Sequence, residues 1–184
     1  MSSASDSAPA REQQLASLGQ EVVRAAYLRG HFVLRSGATS NYYLDKYRFE
    51  TQPHLLRRVA AFLAELVPPA TQRLAGPELG AVALVTAVSL ALDLPFVIVR
   101  KAQKDYATSA QIEGELHPGE RVTVLEDIVT SGGAALDSVR ELRQAGAVVE
   151  DVIAVNDREE GGAEALRAEA LRFQPLFRRT QLGV

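Results

Sequence analysis

The chain has 184 residues, of which 47% are hydrophobic and 23% are charged, a composition typical of one globular domain of ordinary size. Twenty basic residues against twenty-three acidic ones give a formal net charge of −3, which argues against a general nucleic-acid-binding protein. There is no cysteine, so disulfides and thiolate chemistry are excluded, and the three scattered histidines disfavour a histidine zinc site.

The first ten residues, MSSASDSAPA, are small and polar and have neither the basic start nor the apolar middle of a signal peptide. They predict a disordered tail, residues 1–10, on a cytoplasmic protein. Residues 79–99 form a long apolar stretch, but Asp93-Leu94-Pro95 divides it into pieces too short to cross a bilayer. We therefore expect no membrane association.

Apolar residues at helical spacing predict a first helix over residues 11–29, ended by Gly30. The segment 31–49 places two β-rich stretches around a Ser-Gly turn and predicts a hairpin. An amphipathic helix follows Pro53. Beyond it the expected order is a short strand from 73, helix 80–92, strand 95–100, a polar loop 102–119, strand 121–126, helix 133–145, strand 148–155, helix 161–170 and strand 172–177.

The alternation of strand and helix beyond residue 70 predicts an α/β fold with a parallel sheet covered by helices on both faces. The hairpin does not fit this alternation and is expected to form a small cap over one end. Neither an internal repeat nor a linker divides the chain. The sequence thus predicts a single domain over 11–184, with a hood from about 11–50 and a core from about 53–178.

The clearest functional pattern lies where a predicted strand meets a helix. Glu126 and Asp127 end the apolar run, at the sheet edge where ligands bind in such folds. The following Thr-Ser-Gly-Gly, residues 130–133, opens a helix whose free N–H groups and dipole attract an anion. The pattern predicts a ligand with a phosphate and sugar hydroxyls. Both acids can share one sugar only if the strand ends at them, because consecutive strand residues point to opposite faces.

The segment VTVLEDIVTSGGA resembles the phosphoribosyl pyrophosphate signature of type I phosphoribosyltransferases. The segments FVLRSGATSNYYLD, AGPELGAVALVTAVSLALDLPFVIVRK, KAQKDYATSAQIEG and NDREEGG follow the order seen in the orotate phosphoribosyltransferases. This resemblance covers roughly residues 15–165. It implies the type I phosphoribosyltransferase fold with an N-terminal hood. It also implies transfer of ribose 5-phosphate from phosphoribosyl pyrophosphate to orotate, which gives orotidine 5′-phosphate and pyrophosphate in pyrimidine biosynthesis.

The resemblance also implies roles for individual residues. Lys104 is the catalytic residue on a mobile flap that reaches the partner's site in a homodimer, and Asp127 is the candidate for proton handling. Magnesium is the expected cofactor, carried mainly by phosphoribosyl pyrophosphate with no direct protein ligand. The residues implied to bind phosphoribosyl pyrophosphate are Arg100, Lys101, Lys104, Tyr106, Glu126, Asp127, Ile128, Val129, Thr130, Ser131, Gly132, Gly133 and Ala134. Those of a second pyrophosphate loop are Glu78, Leu79 and Gly80, and those for orotate are Arg35, Tyr43, Leu44, Thr130 and Arg158.

The chain departs from the family pattern at a few of these positions. The flap reads Lys-Asp-Tyr-Ala at 104–107, where Lys-Asp-His-Gly is usual. Arg35 stands at the position of a conventional Lys, and Gly80 at one where some members carry a Lys. Two alternatives therefore stay open: a phosphoribosyltransferase for another base, such as a purine, or a non-catalytic sensor of phosphoribosyl pyrophosphate.

Overall fold

The computed structural model describes residues 7–33, 39–101 and 111–183. The chain divides into two compact units, residues 1–59 and residues 60–184. In the ranges described, no helix combines the length and the apolar character that crossing a membrane would require.

The first unit pairs a long helix with a β-hairpin. The predicted hairpin is confirmed: its two strands run antiparallel, from Tyr27↔Leu44 to Val33↔Thr39. The turn between them lies outside the described residues. The elements of this unit are α1 (Ser7–Ala26), β1 (Tyr27–Val33), β2 (Thr39–Leu44), α2 (Tyr47–Glu50) and the first part of α3 (Pro53–Leu66).

Both predicted ends of the first helix are wrong. The helix α1 begins at Ser7, before the predicted start at residue 11. It ends at Ala26, and Gly30 lies inside β1, next to a register irregularity between Arg29 and Phe32. A glycine within a strand is typical of such a bulge. Strand pairing from Tyr27 onward overrides the helical spacing of the preceding residues.

The second unit is built on a six-stranded sheet in the order β5-β4-β3-β6-β7-β8. The paired strands run parallel except for the short edge strand β5, which is antiparallel to β4. The predicted α/β class with a mainly parallel sheet is confirmed. The elements are β3 (Arg73–Pro77), α4 (Val82–Leu92), β4 (Phe96–Val99), β5 (Ile112–Glu113), β6 (Arg121–Val129), α5 (Gly133–Gln144), β7 (Val148–Asp157), α6 (Gly162–Ala168), β8 (Arg172–Arg178) and α7 (Arg179–Leu182).

The core forms because the central strands are apolar on both faces and the helices present one apolar side. Val122 and Val124 of β6 lie in one buried cluster with Val139 and Leu142 of α5. Leu125, which points to the opposite face by strand alternation, is equally buried. The sheet is therefore covered on both sides around β6, as expected for a parallel sheet.

The order of the strands creates a topological switch point. From β3 the chain moves through α4 to β4 on one side, and from β6 it moves through α5, β7 and α6 to β8 on the other side. The switch lies between the neighbouring strands β3 and β6. In open α/β sheets, ligands bind outside the carboxyl ends of the strands at this point.

A partly buried ion pair joins the start of β3 to the residue before β6. Arg73 donates through Nε and Nη2 to the Glu120 carboxylate, over 2.7 and 2.9 Å. The Arg73 side chain is 8% exposed and that of Glu120 is 16% exposed. The hydrogen bond from Arg73 lowers the pKa of Glu120 to about 2, and the His117 amide, which also donates to it, acts in the same direction.

Glu120→Gln is expected to destabilise the second unit by about 1.5 to 3 kcal/mol at pH 7, the range for hydrogen bonds to charged groups. Because the folded-state pKa of Glu120 lies below its ordinary value of 4.5, its contribution is complete above pH 4.5 and is lost as the pH falls towards 2. The difference in urea unfolding between wild type and variant should therefore shrink between pH 5 and pH 3. Glu164→Gln, in an exposed pair on α6, is the control, and an equal, pH-independent effect of the two substitutions would contradict this assignment.

Candidate active site

The site lies where β6 extends beyond its neighbour on one side. Pairing between β3 and β6 ends at Ala75↔Val124, whereas pairing between β6 and β7 continues to Val129↔Asp157. Residues 125–129 therefore run along the edge of the switch point. A ligand placed over this edge meets the last part of β6 and the loop that follows β3.

Both acids of the predicted ligand site lie on this stretch. Glu126 is 6% exposed and Asp127 is 3% exposed. Glu126 Oε1 accepts the Asp127 N–H over 3.1 Å, and Asp127 Oδ1 accepts the Ile128 N–H. Each carboxylate thus accepts the amide N–H of the residue that follows it, which fixes its position.

The prediction that the strand ends at these acids is wrong. The strand β6 continues to Val129, because its register with β7 is kept through Glu126↔Ala154 and Ile128↔Asn156. By strand geometry the two carboxylates start from opposite faces of the sheet. A common ligand must therefore lie over the open edge of β6 and cannot lie on one face alone.

The residues of the predicted anion cradle lie in the loop 130–132 and in the first turn of α5. The helix begins at Gly133, as predicted, with Gly132 as its N-cap at φ 81°. This left-handed conformation favours glycine over every other residue. Thr130, Ser131 and Ala134 are exposed, so this loop and the first turn of the helix, whose first N–H groups have no partner within the helix, are open to solvent.

The loop 130–132 packs directly against the backbone of Gly162. A Cβ on Gly162 would lie 2.4 Å from the Thr130 carbonyl oxygen and 2.4 Å from Val129 Cγ1. A Cβ on Gly132 would in turn meet the Gly162 carbonyl oxygen at 3.2 Å. The cradle and the start of α6 are thus in direct backbone contact, with no space for a side chain between them.

The loop after β3 and the end of β4 are joined by one carboxylate. Glu78 Oε1 accepts the Lys101 N–H over 2.9 Å, and Glu78 Oε2 lies 3.7 Å from Arg100 Nε. Arg100 also pairs with Glu113 at 3.3 Å. The peptide bond between Glu78 and Leu79 is cis, Leu79 is exposed and Gly80 is buried. The predicted pyrophosphate loop and two predicted cations therefore lie together at this edge.

Arg158 follows the end of β7 and is held next to the cradle. Its N–H donates to the Val129 carbonyl over 2.9 Å. Its side chain is 20% exposed and pairs with Glu160 at 3.1 Å. Two buried polar residues, Asn156 and Asp157, precede it at the same end of the sheet.

The remaining predicted site residues fall into two groups. Arg35, Lys104 and Tyr106 lie outside the described residues. Tyr43 and Leu44 lie at the end of β2 in the first unit. Tyr43 is 45% exposed, with its ring centroid 5.6 Å from that of Phe32, so it is not a buried core residue of the hairpin.

A comparison of the sequence with models of protein families finds a family whose match includes the residues of this site. A profile of the phosphoribosyl transferase domain matches residues 48–167, about two thirds of the chain. The match includes the acid pair, the cradle and the Arg158 segment. The chain belongs to the phosphoribosyltransferase family.

Named relatives indicate which members of the phosphoribosyltransferase family this chain is similar to. The orotate phosphoribosyltransferase of Natronomonas pharaonis is 50% identical over 153 residues, covering 83% of this chain and 87% of the relative. That of Thermoplasma volcanium is 39% identical over 166 residues, covering 90% and 98%. The crystal structure of the Mycobacterium tuberculosis H37Rv orotate phosphoribosyltransferase in complex with phosphoribosyl pyrophosphate is 31% identical and covers 93% of this chain and 99% of that chain, with a TM-score of 0.78. The resemblance to orotate phosphoribosyltransferases and the type I fold are confirmed.

Some site residues were not predicted individually. Gly162 is the last residue of NDREEGG, but the sequence does not show that its backbone lies against the Thr130 carbonyl. Glu113 lies on β5, a strand that the polar composition of the loop did not suggest. Asn156 and Asp157 belong to β7, which runs two residues beyond its predicted end.

Gly162→Ala tests whether the contact between the loop 130–132 and the backbone of residue 162 excludes a side chain. The new methyl group must displace the Thr130 carbonyl, so we expect a loss of about 1 to 3 kcal/mol in unfolding free energy, as in other overpacked sites. Gly161→Ala is the matched control, since a Cβ there meets nothing within 4 Å and its cost is only that of φ 91°. Urea unfolding of both variants measures the difference. A smaller effect for Gly162→Ala than for Gly161→Ala would contradict the contact.

Proposed function

We propose that this protein is an orotate phosphoribosyltransferase, which transfers ribose 5-phosphate from phosphoribosyl pyrophosphate to orotate. The observation that carries the proposal is the continuous unit of buried acids, glycine-rich cradle and helix start at the topological switch point. Orotate phosphoribosyltransferases at 39–50% identity over most of the chain support the choice of base. These relatives do not favour a purine enzyme or a non-catalytic sensor.

The first part of the proposal concerns the ribose phosphate. The 5-phosphate binds to the hydroxyls of Thr130 and Ser131 and to the free N–H groups at the start of α5. The ribose hydroxyls bind to Glu126 and Asp127 over the open edge of β6. Burial of both carboxylates in a position that accepts hydrogen bonds makes them suitable for sugar hydroxyls, which donate them. In this arrangement Asp127 is also the candidate for proton handling at the ring nitrogen that attacks.

The second part concerns the leaving group. As the bond at C1 of the ribose breaks, the sugar becomes cationic and pyrophosphate accumulates negative charge, so fixed positive charge is needed beside it. Arg100 and Lys101 supply this charge next to the loop 78–80. Glu78 and Glu113 pair with Arg100 at 3.7 and 3.3 Å and partly offset its charge. We propose that pyrophosphate competes with these carboxylates for the guanidinium.

The third part concerns the base. Orotate is a flat, carboxylated pyrimidine, for which a guanidinium and an aromatic face are suitable partners. We assign its polar edge to Arg158 and its carboxylate to the vicinity of Thr130. Arg35, Tyr43 and Leu44 are proposed to complete the base site.

Magnesium is proposed to enter with the substrate. Within 7–33, 39–101 and 111–183, no group of three or more Asp, Glu, His or Cys side chains is arranged to hold a metal ion. We propose that the ligands of the ion come mainly from phosphoribosyl pyrophosphate itself. When bound, the ion would neutralise charge that develops on the pyrophosphate.

We further propose that the enzyme acts in the cytoplasm as a homodimer. In this proposal the hood and core belong to one phosphoribosyltransferase domain over 11–184. The flap that carries Lys104 and Tyr106 closes over the site of the neighbouring subunit and excludes water, which otherwise hydrolyses the activated sugar.

An assay of orotate consumption with phosphoribosyl pyrophosphate and Mg²⁺ tests the function directly. We expect orotidine 5′-phosphate and pyrophosphate to form in equal amounts, and we expect adenine, guanine and hypoxanthine to be inactive. Turnover with a purine alone would show that the assigned base is wrong. Tight binding of phosphoribosyl pyrophosphate without pyrophosphate release for any base would favour the sensor.

Lys104→Ala tests the catalytic assignment. We expect kcat to fall by about 10²–10³-fold, the range for removal of one donor that acts on transition-state charge. The dissociation constant for phosphoribosyl pyrophosphate should change much less, because the lysine acts mainly in the transition state. Lys46→Ala, a lysine outside the proposed machinery, is the matched control. Unchanged kcat in Lys104→Ala would remove this lysine from the mechanism.

A further inference from the structure

The residue after Arg158 is held in an unusual way. Glu159 has φ 56°, in the left-handed region that side-chain-bearing residues rarely adopt. Its N–H donates to Asp157 Oδ1 over 2.8 Å. A non-glycine residue keeps such a conformation only when its surroundings fix it.

The surroundings are the C-terminal turn of the chain. Thr180 donates twice to the Glu159 carboxylate, from its N–H to Oε2 over 2.9 Å and from Oγ1 to Oε1 over 3.1 Å. Thr180 lies in the short helix α7, directly after β8. Both partners are exposed, so the contact contributes little to the core.

The turn itself is anchored to the sheet. Arg178, the last residue of β8, pairs in register with Asp157 of β7. Its N–H donates to Gln181 Oε1 over 2.8 Å, which caps the start of α7. Thr180 is therefore held at a fixed distance from the end of β7, where the Arg158 segment begins.

Arg158 lies between two anchors. On one side its N–H is bonded to Val129, at the end of β6. On the other side Glu159 is bonded to Thr180. The Arg158 Nε is buried and makes no hydrogen bond to the part of the chain that the structure describes. The guanidinium is thus positioned by the backbone of Arg158 together with the ion pair to Glu160.

We propose that Glu159 and Thr180 form a clamp that positions the Arg158 guanidinium for the base, an inference that rests on the proposed function. The two are positioning residues, since neither is assigned a contact with substrate. Thr180 lies beyond residues 48–167, the range matched by the family profile. The C-terminal turn thereby takes part in base affinity without touching the base.

The test uses Thr180→Val, Glu159→Ala and the conservative Thr180→Ser in the full-length protein. Thr180→Val removes one donor, Glu159→Ala removes both acceptors, and Thr180→Ser keeps both donors. Loss of one or two hydrogen bonds to a charged group should raise the KM for orotate by about three- to tenfold. The KM for phosphoribosyl pyrophosphate should stay within about twofold of wild type, as should every parameter of Thr180→Ser.

Hydrogen–deuterium exchange of the peptide containing residues 158–160 gives a readout that needs no activity. We expect faster exchange in Thr180→Val and Glu159→Ala and wild-type exchange in Thr180→Ser. Equal rises in both KM values, or an unchanged orotate KM despite faster exchange, would overturn the positioning role.

Wild-type protein that forms no orotidine 5′-phosphate would refute the proposed function instead. Exchange alone would then decide whether the clamp exists.

Discussion

The arrangement of the site depends on one steric constraint: the turn 130–132 rests on the backbone of residue 162 with no room for a side chain. A Cβ at Gly162 would lie 2.4 Å from the Thr130 carbonyl oxygen, far inside van der Waals contact. Protein interiors cannot absorb such an overlap without moving one of the segments. The anion cradle and the segment that carries Arg158 are therefore one packed unit, which fixes the distance between the proposed phosphate and base subsites.

The topology of the sheet supplies the rest of the site. Because the chain turns in opposite directions from β3 and β6, the loops after these neighbouring strands separate and leave an edge between them. One loop brings Glu78 and, through it, the end of β4 with Arg100 and Lys101. The last part of β6 brings Glu126 and Asp127, and the loop that follows β6 brings the cradle. The acid pair thus lies on one side of this edge, and Arg100 and Lys101 lie on the other side beside Glu78. This arrangement suits a substrate with sugar hydroxyls at one point and a charged leaving group at another.

Local signals in the sequence predicted much of the sheet and of the loop before α5. The glycine-rich start of α5 is encoded within a few residues, and the helix begins at Gly133 as predicted. The parallel sheet follows from alternating apolar runs and amphipathic helices. The predicted end of the strand at Glu126 was wrong. Acidic residues are depleted in strands, but here pairing with β7 carries β6 on to Val129.

The features that sequence reasoning missed depend on contacts between distant parts of the chain. Nothing near Gly162 shows that the Thr130 carbonyl lies against it, and nothing near Thr180 shows that Glu159 accepts its hydrogen bonds. The short strand β5 exists only because β4 offers it an edge. Local composition carries no information about such pairings until the fold is known.

The most direct test of the central claim is a crystal structure of the protein with phosphoribosyl pyrophosphate bound. The account predicts the 5-phosphate at the N–H groups of the first turn of α5, with the ribose hydroxyls at Glu126 and Asp127. Density for the ligand elsewhere on the protein, with the pocket around Asp127 and Gly132 empty, would contradict it.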